Sequence, residues 1–139
     1  MTTRMRPNVL AGGLTALVTG GLMAALTAST GRLAGSLPAV VWLTLPLLVA
    51  GVAYGWLVET ERLTGGFGSG ILFWTAAFPA ARITQEFLAA AQVPEGVLSF
   101  VIYQAMVGGA FGLGFLLLHN QISMLLVAWR QRGDASHHE

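Results

Sequence analysis

Four stretches of this chain carry no charged side chain: residues 7–31, 33–58, 63–81 and 96–129. A bilayer hydrocarbon core of ~30 Å is crossed by ~20 apolar residues in a helix, so each run is near or above spanning length. In a chain of 139 residues, four such runs leave almost nothing outside the membrane. The expectation is an all-α integral membrane protein with four transmembrane helices, forming a single domain over residues 1–139. Composition agrees, with 55% hydrophobic and 9% charged residues against about 25% charged in ordinary soluble domains. A soluble surface needs more charge than that.

Local signals place the spans at about 9–28, 37–58, 67–91 and 97–118, the last with a helical extension to about 130 and a flexible tail over 131–139. Gly31 stops the first span, and residues 92–96, with Pro94 and Gly96, separate the last two. Pro38 suits a first helical turn, whereas Pro46 and Pro79 fall inside helices, where a missing N–H favours a kink. The first run also has the basic start of a secretion signal, at Arg4 and Arg6. Its apolar stretch from Val9 to Ala28 exceeds the roughly 7–15 residues of such signals, so an uncleaved first span is expected.

Arginine placement sets the expected orientation. With four spans, Arg4, Arg6, Arg62, Arg130 and Arg132 share one side, opposed by Arg32 and, if it reaches the surface, Arg82. This predicts a multi-pass protein of the cell (inner) membrane with both termini cytoplasmic. The last run is too long for a single crossing, since Gly96 to Trp129 measures ~50 Å as one helix. Either the membrane part is about 97–118 and the rest projects, or the helix enters later and ends at Trp129. The first choice puts His119, Asn120 and Gln121 at the cytoplasmic interface, the second near the midplane. The first is preferred, because three consecutive polar residues in lipid are costly.

Small residues recur at helical spacing. Gly12, Ala16, Gly20 and Ala24 follow one another every four positions, and Gly51 with Gly55 and Gly108 with Gly112 each form GxxxG. Such stripes let helices approach closely where lipid removes any hydrophobic drive between them. They serve either packing within one bundle, the simpler reading, or contact with another subunit, for which the first span is the best candidate. Gly51-Val-Ala-Tyr-Gly55 also matches Gly108-Gly-Ala-Phe-Gly112 at an offset of 57 residues. That offset is consistent with two tandem helical hairpins.

Residues able to carry chemistry are few. The absence of cysteine removes disulfides, thiolate metal sites and iron–sulfur clusters. A net charge of +1 offers no basic patch for nucleic acid. Arg82 and Glu86 stand four apart with Gln85 beside them, on one face of the third span. They form either a helix-end anchor with an internal ion pair or a polar pocket or docking contact, with Tyr103 and Gln104 reaching the same depth from the fourth span. His119 suggests haem, but His137 and His138 lie in the tail and leave no second axial ligand in a span. Asp134 is the only aspartate, and no nucleophile–base set can be assembled in the spans. No cofactor, no metal and no enzymatic activity are expected.

The expected function is a small non-catalytic membrane subunit, or an assembly or stabilising factor, of a larger membrane complex. Respiratory and other energy-transducing assemblies commonly hold such spans, an analogy of architecture alone. The alternative is a small homo-oligomeric transporter, channel or lipid- or quinone-binding protein. Expected partners are membrane lipids and other integral membrane subunits or a second copy.

Overall fold

A computed structural model describes residues 6–29, 33–88 and 96–135. Four helices account for almost all of them: α1 (Pro7–Ser29), α2 (Leu33–Glu59), α3 (Phe67–Leu88) and α4 (Val97–Ala135). No strand occurs among the described residues. α2 continues through Pro38 and Pro46, and α3 through Pro79. Pro38 is not in the first turn, because α2 begins four residues earlier than expected, at Leu33. Residues 131–135, expected as tail, continue α4. The remainder of the tail and residues 89–91 of the expected third span lie outside the described residues.

Each helix packs on its chain neighbours, and α1 also packs on α4, while across the diagonal α2 reaches α4 through Tyr54, whose ring meets Phe115 and His119. The helices therefore form a closed ring of four, antiparallel in sequence order. The start of α1, the end of α2 and the start of α3 share one end of the bundle. α4 passes that end and runs on.

Two types of contact hold the ring. Between α1 and α2, backbones meet: a Cβ added at Gly12 would collide with the Gly51 carbonyl, and one at Gly55 with the backbone of Asn8 and Val9. Ala16 packs on Gly51, and Gly20 on the side chain of Thr44. The side chain of Ala24 lies outside the described ones. Between α3 and α4, Gly108 likewise meets a backbone, the Trp74 carbonyl, beside the Phe78 side chain, while Gly112 seats the Trp74 side chain and Gly70 that of Leu116. The small residues described at Gly12, Ala16, Gly20, Gly51, Gly55, Gly108 and Gly112 are thus spent on contacts inside the bundle. The two hairpins also differ in register. Gly51 lies opposite Gly12, so the 57-residue offset would put Gly108 opposite Ser69, yet it lies against Trp74, more than one turn along.

The core is aromatic. Trp74, Tyr54 and Phe115 are fully buried with Leu47 and Leu116. The Phe115 ring lies tilted against the Trp74 ring at 4.4 Å, centroid to centroid, and Tyr54 meets Phe73 at 5.3 Å. Hydroxyls in this environment turn back on their own helix: Thr15 donates to the Ala11 carbonyl at 2.7 Å and Thr75 to that of Ile71 at 2.8 Å.

Among the described residues, two helices contain stretches long and apolar enough to cross a bilayer, Val40–Glu59 and Val97–Arg132. α3 carries Arg82, Gln85 and Glu86 within its length.

The turn after α2 closes with Arg62 N–H on the Leu57 carbonyl at 2.9 Å and Glu61 N–H on that of Val58 at 3.1 Å. This is the double bond pattern that ends helices on a left-handed residue, a place usually taken by glycine. Here it is Glu61, at φ 58°. Replacing Glu61 with Gly is expected to raise unfolding free energy by about 1 kcal/mol, read as a higher melting temperature in detergent. Gly12→Ala should lower it by about 1–3 kcal/mol through overpacking, whereas Gly114→Ala, where an added Cβ meets nothing, should not.

Candidate functional site

The described polar side chains gather at the two ends of the bundle. At the end where α1 begins, Asn8 joins three helices. Its backbone N–H, one of the donors that a helix start leaves free, is taken by the Glu59 carboxylate of α2 at 3.1 Å. The carboxylate also complements the positive end of the α1 dipole. The Asn8 backbone carbonyl faces Nε2 of His119 at 3.3 Å. A carbonyl only accepts, so Nε2 carries the hydrogen. The Asn8 side-chain oxygen accepts from the Ser123 hydroxyl at 3.0 Å.

His119 is 2% exposed and lies edge-on to Tyr54 at 5.2 Å, with Phe115 stacked at 5.9 Å. Ser123 follows His119 by one turn on the same helical face. The two side chains converge on Asn8 rather than on each other, so they do not form a nucleophile–base pair. The cluster acts as a lock among α1, α2 and α4. Arg62 lies over the Trp56 ring at 5.1 Å at the same end, a cation–π contact typical of polar–apolar boundaries.

At the other end Arg82 pairs with Glu86 at 2.7 Å, both side chains 22% exposed, and the guanidinium lies over Phe100 of α4 at 5.9 Å. Gln85, between the two charges on α3, and Gln104 on α4 are both buried. Tyr103 does not join them. It is 59% exposed, because one residue along a helix turns the side chain by about 100°, and burying Gln104 sends Tyr103 outward. Asn120 and Gln121 are likewise exposed while His119 is buried. His119 also sits level with the first residues of α1 and with Glu59, at the end of the bundle and away from its middle.

Asn8, Glu59, Ser123 and Tyr54 were absent from the residues singled out by sequence. Ser123 carries a signal in hindsight, four residues after His119. Asn8 follows Pro7 at a helix start, and Glu59 closes an uncharged run, but nothing in either position names its partner. Among the described residues no cluster of three His, Asp or Glu side chains could hold a metal ion. Comparison with protein families, with curated proteins and with solved structures finds no match to this chain.

The Tyr54 hydroxyl and Trp74 indole N–H are buried with no hydrogen-bond partner among the described residues. A buried unmet donor costs about 1–3 kcal/mol. Tyr54→Phe is therefore expected to hold or raise stability. His119→Ala removes a buried ring together with its bond to α1 and should cost about 3 kcal/mol. Chemical denaturation in mild detergent, followed by circular dichroism, checks both signs.

Proposed function

We propose that this chain is a small, non-catalytic, four-span membrane protein that serves as a subunit or assembly factor of a larger membrane complex. The supporting observation is the course of α4. Its core-facing stripe of Phe115 and His119 continues at the same spacing as Ile122, Leu126 and Trp129. Leu126 and Trp129 lie past Ser123, which is held at the start of α1, and Trp129 is 78% exposed. From Ser123, held at the start of α1, to Ala135 the helix continues for ~18 Å. A core face prolonged past its own core suits an apolar surface supplied by another subunit.

Several features favour the membrane reading for all four helices. Large apolar side chains point outward on every helix, among them Leu22, Val49, Leu72 and Met106. Each helix is 22 residues or longer. The expected orientation, with the α1 start and α4 end cytoplasmic, puts the Asn8 lock and the α2–α3 turn at the inner surface. Arg82 and Glu86 then lie toward the outer surface, where their pairing lowers the cost of burying either charge. Plugging of the core by Tyr54, Trp74 and Phe115 disfavours a conducting path through a single bundle.

A specific feature favours the second reading, lipid or quinone binding. A groove between α2 and α3, walled by Leu45, Pro46, Val49, Phe73 and Ala77, is almost wholly apolar and open sideways. It fits a hydrocarbon chain better than a polar solute.

Mild-detergent extraction, native electrophoresis and mass spectrometry test the subunit reading. The chain is expected to migrate with larger membrane proteins. Leu126→Glu with Trp129→Glu should abolish that co-migration while leaving the helical content and melting of the bundle unchanged. Migration of the unaltered chain with no other protein would remove the proposal.

A further inference from the structure

His119 uses only one of its two ring nitrogens. Nε2–H donates to the Asn8 carbonyl at 3.3 Å, whereas Nδ1 is buried and meets no hydrogen-bond partner among the described residues. Histidine is the side chain whose charge changes nearest neutral pH, at about 6.5 when unperturbed. Because Nε2 already carries a hydrogen, a further proton enters only at Nδ1. The ring then holds a full positive charge, with its new N–H turned into the aromatic core.

The surroundings offer that charge little. From α2, Tyr54 meets the ring nearly at right angles at 5.2 Å, and its hydroxyl is itself without a partner, so it is not placed on Nδ1. Glu59, also of α2, is taken up by the Asn8 N–H at 3.1 Å. The N–H and C=O of one residue point opposite ways along a helix, so the carboxylate and the imidazole lie on opposite sides of Asn8. Glu61 and Arg62, in the turn beyond, are exposed, as is Arg6 before the start of α1. α3 carries no charge before Arg82, toward the other end. On α4 the neighbours are neutral: Phe115 stacked at 5.9 Å, Asn120, and Ser123, whose hydroxyl is given to Asn8. Arg130, further along, only repels. On the reading that ends the fourth crossing near residue 118, His119 lies just outside the hydrocarbon. Burial holds its imidazole below the ordinary value, against smaller upward pulls from the Asn8 carbonyl and the Asn120 side chain.

We infer that the Asn8 lock is a proton-operated latch: uptake of a proton by His119 releases α4 from α1 at this end of the bundle, and its loss closes the contact again. Turning the ring out to water satisfies both of its N–H groups and gives up only the bonds of His119 and Ser123 to Asn8. The hold of α3 on α4, through Trp74 on Gly108 and Gly112 and through Leu116 over Gly70, involves no titratable group and stays in place. So does the close contact of α1 with α2. The latch therefore opens one side of the ring and lets the prolongation of α4 change its angle. An imidazole kept neutral in the folded chain contributes stability that is complete above about pH 6.5 and is lost as pH falls below it. Every group in the latch belongs to this chain, so the inference does not require a partner subunit.

Thermal unfolding of the full chain in mild detergent, followed by circular dichroism from about pH 8 to about pH 5, is the first test. The melting temperature should fall by ~5 °C or more across that range. His119→Gln supplies an amide N–H in the place of Nε2 and has nothing to titrate, so its melting temperature should stay level. Hydrogen–deuterium exchange of the unaltered chain, read by mass spectrometry and corrected for the intrinsic effect of pH, locates the change. In acid, the start of α1 and the part of α4 after Leu116 should lose protection roughly tenfold, with α3 and the middle of α2 unchanged. The exchange measurement decides alone should His119→Gln fail to fold. A level melting temperature in the unaltered chain, an equal fall in His119→Gln, or protection lost evenly over all four helices would each overturn the inference.

Discussion

Helix backbones in the first hairpin approach until nothing larger than a hydrogen fits between them at Gly12 and Gly51, and the rest of the bundle is arranged around that approach. Close contact along α1 and α2 brings Gly55 onto the first turn of α1 and sets Glu59 beside the Asn8 N–H. With that end fixed, Asn8 presents its carbonyl and side-chain oxygen to α4, which must supply donors at the matching height. His119 and Ser123 do so. The second hairpin makes one backbone approach of its own, Gly108 on the Trp74 carbonyl, and adds glycines that seat the side chains of Trp74 and Leu116. Aromatic side chains add to that backbone approach, and the facing sides of the two hairpins close over Tyr54 and Phe115.

Much of the architecture could be read from residue order alone. The all-helical class, the four elements and most of their limits follow from where charges are missing. The small-residue positions also mark close contacts, since Gly at i and i+4 leaves a flat strip on any helix. The pairing of Arg82 with Glu86 follows from their spacing. What residue order cannot convey is rotation about each helix axis. Tyr103 and Gln104 are neighbours in the chain, and only the packing of α4 on α3 decides which turns inward. The same applies to His119 against Asn120 and Gln121. Asn8 was invisible for another reason, since its partners are 51, 111 and 115 positions away. No local pattern records such distances.

The two ends of the molecule differ in character. At one, the polar groups are structural and mutually engaged: a carboxylate on a helix start, an imidazole on a carbonyl, a hydroxyl on an amide. At the other, a partly exposed ion pair lies against an aromatic ring, with the buried Gln85 amide between the two charges in sequence. Between them runs an aromatic interior. α4 is the one helix that takes part in both ends and then leaves the bundle, with one face continuing its core and the opposite face carrying Gln121.

The Asn8 lock also has a bearing on timing. Glu59 leaves the ribosome long before Ser123, and the intervening chain takes on the order of several seconds to synthesise at cellular rates. During that interval the first hairpin can pair and tie down the Asn8 N–H, while its two oxygens wait for a helix that does not yet exist. The opening turn of α1 is thus among the first segments made and among the last to be completed. The ring therefore closes from its beginning to its end, and the bundle reaches its final form only when the fourth helix arrives.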